Sequence, residues 1–132
     1  MISWGYHEEA DFGERHGWQG TRDLAACLAV PRAIEAHATF DLEGMGALTD
    51  EAERRLLAVG ARRIPGEPAP CMRAFELPPG DPDDLRERLF DEFRVEAPVY
   101  DWEGRRVLRV SIGPYNDEQD LDRLLGALRE LL

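Results

Sequence analysis

The stretch Arg105-Arg106-Val107-Leu108-Arg109-Val110-Ser111-Ile112, closed by Gly113-Pro114-Tyr115-Asn116, decides how this chain folds. A run of aliphatic and β-branched residues ended by Gly-Pro predicts a strand over 105–112. Successive strand side chains point to opposite faces. Leu108, Val110 and Ile112 therefore share one face, and Val107, Arg109 and Ser111 share the other. The residues that follow supply cover for the first face. Leu121, Leu124, Leu125, Leu128, Leu131 and Leu132 recur at helical spacing. Asn116 stands where it would cap that helix, with Gln119 three residues on, as in a capping box. Arg109 is then expected to point away from the core.

Toward the N-terminus, Asp101-Trp102-Glu103-Gly104 reads as a hairpin loop to a second strand at 94–100. Before it, Leu85, Leu89, Phe90 and Phe93 form the apolar face of a helix at about 82–93. Pro78-Pro79-Gly80-Asp81-Pro82 makes the turn into that helix, and 71–77 reads as another strand. The order β-α-β-β-α from residue 71 predicts an α+β fold, a small antiparallel sheet with helices packed on one face.

Upstream, Pro65-Gly66-Glu67-Pro68-Ala69-Pro70 is a stiff linker or turn. Thr49 is expected to cap a helix running to about Val59, with Asp50 and Glu51 at its positive end and Gly60 at its stop. Residues 39–48, which include Gly44 and Gly46, read as a connection. Residues 21–38 read as helix in two pieces, because Pro31 lacks an N–H and clashes with the preceding turn. Residues 1–20 read as an irregular arm, in which Gly5, Gly13, Gly17 and Gly20 interrupt Trp4, Tyr6, Phe12 and Trp18. Those aromatics need cover, from this domain or from another chain. The expected division is 1–48, arm and helical segment, and 49–132, the α+β domain.

Composition narrows the functions. The chain has 132 residues, with 16 cationic and 27 anionic side chains and a net charge of −11. A phosphate backbone or an anionic membrane needs a cationic face, so neither nucleic acid nor membrane is the expected partner. No apolar run approaches the ~20 residues of a membrane span. The first residues have neither the basic flank nor the apolar stretch of a signal peptide, so a cytoplasmic location is expected. All 16 cationic residues are arginine. Without lysine the chain cannot supply a lysine Schiff base, a lysine general base or a P-loop lysine.

The candidates for chemistry are few. Arg109, on an uncovered sheet face, is a potential receptor for carboxylate or phosphate, since its fork binds two oxygens at once. His7 and His16 lie among Glu8, Glu9, Asp11 and Glu14 in no recognised ligand spacing, so no metal site is expected. Cys27 and Cys71 read as packing residues. Ser3 and Ser111 carry no signature of an activated nucleophile. No residue is read as catalytic.

Two segments resemble a known family. Arg15-His16-Gly17-Trp18-Gln19-Gly20-Thr21-Arg22-Asp23 with Leu28-Ala29-Val30-Pro31 is similar to a "WQGTRD…LAVP" stretch of the isopenicillin-N-epimerase-like proteins. These are class V aminotransferases, of the fold-type I pyridoxal-phosphate enzymes. Leu108-Arg109-Val110-Ser111-Ile112-Gly113-Pro114-Tyr115-Asn116, with Asp120-Leu121-Asp122-Arg123-Leu124, resembles their "LRVSxxxYNTxEDxDRL" ending. Arg94-Val95-Glu96-Ala97-Pro98-Val99 resembles their "RIEVPV" strand. The resemblance covers 3–34 and 71–132 well, and 35–70 poorly.

The resemblance implies the C-terminal portion of such an enzyme, ending in its small domain, with residues 1–48 making dimer or large-domain contacts. It implies pyridoxal phosphate in the parent family, with none bound covalently here because the Schiff-base lysine lies upstream in those enzymes. Thr21 would contact the cofactor phosphate of a neighbouring subunit, with Gly20 and Gln19 in the same loop, and Arg109 would hold the substrate α-carboxylate. A homodimer, or a separately encoded cofactor-binding large domain, is the implied partner, and an amino-acid-like molecule the substrate. Asp117 replaces the threonine of the "YNT" motif. Cysteine desulfurases of the superfamily carry a cysteine on the loop before the "RxS" strand; the short hairpin here has none, which favours epimerase-like or aminotransferase-like chemistry. The alternative is a non-catalytic binding or assembly module on the same α+β fold.

Overall fold

The computed structural model describes Phe12 and residues 23–132. The chain divides into two units, Met1–Phe40 and Asp41–Leu132. In the first, α1 runs Ala25–His37 as one helix with Pro31 inside it, and none of its residues is buried. The expected break at Pro31 does not occur. The missing N–H removes one helical bond, and the turns on either side keep theirs, Leu28 N–H to Leu24 and Ala38 N–H to Ile34 among them. Cys27 is exposed on this helix rather than packed. Phe12, expected in an irregular arm, has helical backbone.

The second unit is the α+β domain. It opens with α2, Leu42–Ala58. The helix begins seven residues before the expected Thr49 cap, because the Asp41 carboxylate accepts from the Gly44 N–H and supplies the cap. Gly44 belongs there, since a Cβ would strike the Asp41 carboxylate. Thr49 is instead buried mid-helix, its hydroxyl donating to the Met45 carbonyl. Residues 42–48, expected to form a connection, are helix.

Next come β1, Arg62–Arg63, which the sequence reading did not anticipate, and β2, Met72–Glu76. Then follow α3, Pro82–Phe93, β3, Val99–Trp102, β4, Arg105–Ser111, and α4, Glu118–Leu131. The sheet is antiparallel throughout, in the order β1-β2-β4-β3. Glu103 and Gly104 both have positive φ, making a two-residue hairpin tighter than the expected four-residue loop.

Phe75, Leu77, Val99, Leu108, Val110 and Ile112 form one core with Ala52 and Leu56 of α2, Leu85 and Leu89 of α3, and the α4 leucines. All three helices of this unit thus lie on one sheet face, as the alternation requires. Phe90, expected on the inner face of α3, is exposed, and Phe93 is partly buried against the core. Leu131 is only partly buried and Leu132 is exposed, so the packed leucine stripe ends at Leu128. The α4 cap is Asp117, whose carboxylate accepts from Gln119 and Asp120. Asn116, expected to be the cap, ties the preceding turn to the helix: it accepts from Gly113 N–H and donates to Asp120.

Candidate functional site

The site is built around the end of β4. Alternation puts Met72 and Ala74 of β2, and Val107, Arg109 and Ser111 of β4, on the sheet face that no helix of this unit covers. Arg109 is exposed there, and among the described residues no carboxylate pairs with it. Val107, on the same face, is fully buried.

Pro98 shapes the surroundings of Arg109. The Arg109 N–H donates to the Pro98 carbonyl at 3.0 Å. Proline has no N–H to return, so the β3–β4 ladder stops there. Residues 94–98, expected in the second strand, are therefore not strand, and β3 starts at Val99. Beyond the stop, the Ser111 N–H points to the same side of β4 and has no backbone partner among the described residues.

The space so opened is a cavity of about 310 Å³ between residues 94–98, β4 and the start of α4. Its wall is apolar at Val95, Ala97, Val110 and Leu121, and charged at Arg94, Arg109 and Arg123. Glu96 and Asp120 also line it. The volume lies at the lower end of the ~300–1,000 Å³ usual for small-molecule sites. A second hollow of about 180 Å³ lies on the other side of Arg109, against Pro65, Pro68, Met72 and Ala74.

Two other arginines show what a structural role looks like in this fold. Arg73 alternates with Phe75 onto the core face and is 9% exposed. Its Nε and Nη2 donate to Glu53 and Asp50 of α2 at 2.7 Å, and its Nη1 donates to the Ala69 and Met72 carbonyls. Arg106 also turns from the open face, toward Gly80, and its Nε is buried without a partner. Burial pushes its pKa down, opposed by Asp84; a guanidinium still stays protonated at neutral pH.

Of the residues implied by resemblance, only Arg109 falls where the structure describes it. Gln19, Gly20 and Thr21 lie outside the described residues, as do His7 and His16. Among the described residues no group of His, Cys, Asp and Glu is arranged to hold a metal, and no helix is long and apolar enough to cross a membrane. Reading the sequence missed Arg73, Arg94 and Arg123. The parity that placed Arg109 outside would have placed Arg73 inside, two residues from Phe75.

No family model matches the chain. Isopenicillin N epimerase of Amycolatopsis lactamdurans is 38% identical over 157 aligned positions, covering 99% of this chain and 38% of that protein. The isopenicillin N epimerase of Streptomyces clavuligerus is 39% identical over 127 positions, covering 86% of this chain and 31% of its own length. The cysteine desulfurase CsdA of Escherichia coli superposes with a TM-score of 0.68 at 25% identity, covering 86% of this chain and 32% of that one. The chain thus spans well under half the length of the curated relatives it matches.

Proposed function

We propose, from the premise that this chain belongs with the isopenicillin N epimerases among the fold-type I pyridoxal-phosphate enzymes, that it is the part of such an enzyme that holds a substrate carboxylate. The observation that carries the reading is Arg109, exposed on the open sheet face beside a small-molecule-sized cavity and without a counter-ion among the described residues. Most other described arginines are already held by carboxylates, Arg54 by Glu51 and Arg88 by Glu92 among them. The rigid strand fixes where the Arg109 fork stands, so it binds both carboxylate oxygens of an amino acid and sets the orientation of its α-carbon.

Pyridoxal phosphate, when bound in such enzymes, supplies an electron sink. The residues of this chain do not fit its covalent attachment, since none is lysine. No covalent step is assigned to this chain. The lysine comes from outside these 132 residues, on the same polypeptide or a partner, and Thr21 with Gly20 and Gln19 would contact the cofactor phosphate. The substrate class is an amino acid or amino-acid derivative.

The test is a titration of the isotope-labelled chain with L-alanine, followed by backbone NMR shifts. Saturable shifts at Arg109 and Ser111 are expected, lost in Arg109→Ala while the rest of the spectrum is kept. Absent shifts, or shifts unchanged in the variant, would overturn the assignment.

A further inference from the structure

The cavity beside Arg109 holds more positive charge than one carboxylate needs. Arg94 and Arg123 line it too, and like Arg109 neither has a carboxylate partner or a side-chain hydrogen bond among the described residues. The chain has a surplus of 11 negative charges, yet three unpaired arginines surround one hollow. Glu96 and Asp120, the other charged groups lining it, leave that surplus positive, and Asp120 is already engaged by the Asn116 amide.

Arg94 provides an independent observation. It ends α3 at φ 56°, in the left-handed region. The Val95 N–H reaches the Leu89 carbonyl at 2.9 Å and the Arg94 N–H reaches Phe90 at 3.1 Å, the paired bonds of a Schellman motif. Glycine is the usual residue at that position, because a Cβ is strained there. An arginine at that position strains the helix stop and adds a charge to the cavity wall. Strain held at a cavity is a pointer to function.

We propose that the cavity recognises a dianion, with Arg109 taking one carboxylate and Arg94 and Arg123 the second anionic group. The Ser111 N–H, left open by Pro98, adds a donor on the same wall. This rests on the carboxylate role of Arg109 argued above, and narrows the substrate class to amino acids with an acidic far end. Apolar lining between the charges suits a short aliphatic spacer.

The test compares glutarate with butyrate, which share a carboxylate and differ in the second. Binding to the full chain is measured by NMR titration at low salt. Glutarate should bind about tenfold tighter than butyrate, and Arg94→Gly and Arg123→Gln should each reduce that ratio severalfold. Arg94→Gly should at the same time raise Tm, because glycine relieves the left-handed strain; a folding defect cannot mimic that pair of results. Equal binding of the two acids with Arg109-dependent butyrate binding would overturn the dianion proposal and leave the carboxylate reading standing. Butyrate binding that ignores Arg109→Ala would overturn both. An unchanged ratio in Arg94→Gly would also sink the proposal.

Discussion

Arg73 and Arg109 stand one rung apart on neighbouring strands and face opposite ways, since Arg109 pairs with Ala74 and Arg73 with Val110. One is clamped by Glu53, Asp50 and two carbonyls beneath α2; the other is exposed and unclaimed. The same side chain therefore has two energetic roles. Arg73→Ala leaves the largely buried Glu53 carboxylate without its partner, which should cost about 3 kcal/mol, the low end for a broken buried pair because Asp50 stays in water. Arg109→Ala should change stability by no more than about 0.5 kcal/mol, as for other exposed positions. Urea denaturation of the two variants measures both; comparable losses would assign Arg109 to the scaffold.

At the scale of elements, α2 and α3 each carry an exposed acid–base pair whose sign with pH is fixed. The hydrogen bond from Arg54, with the charges of Arg54 and Arg55, holds Glu51 below its usual range. The hydrogen bond from Arg88 does the same for Glu92. A carboxylate with a depressed folded pKa stabilises the fold above its unfolded value of about 4.3, and that contribution disappears as pH falls through the folded value. Glu51→Gln with Glu92→Gln should therefore lower Tm slightly at pH 7, and the gap to the unaltered chain should close by about pH 3. A gap that persists in acid would show that packing, not charge, is lost.

The elements also show what could be read in advance. Strand alternation at 105–112, the α4 leucines up to Leu128 and the 82–93 helix were legible because period and burial coincide. The start of α2 was not, because a capping Asp followed by two glycines resembles a loop. β1 was not, because two arginines carry no period; the sheet makes them a strand, through Arg62–Glu76 and Arg63–Phe75. Position 98 was read as strand, and the missing N–H that ends the ladder acted one residue earlier than the apolar pattern suggested. Arg109 was visible as an outward guanidinium. Its neighbours Arg94 and Arg123 were not, since they come from a helix end and another helix and meet only in three dimensions.

For the whole molecule, the 132 residues offer guanidinium groups but no lysine amine. Incubation with pyridoxal phosphate, borohydride reduction and mass spectrometry should give no stoichiometric, specific adduct. One such adduct per chain would show that the chain anchors the cofactor by a route the sequence does not supply.

The strand order has a consequence for how the domain behaves at high concentration. The two apolar strands, β2 and β4, are the inner pair, and both rims are short: β1 has two residues, both arginine, and β3 has four. Arg105 stacks at 4.3 Å on the Trp102 ring, beside the second rim. A strand from another molecule would find at one rim two cations and at the other an aspartate and a bulky ring pair, with little free ladder to extend. Short, charged rims of this kind are how sheets avoid growing into fibrils. The domain can therefore leave one sheet face open to ligands without its strand ends recruiting further copies.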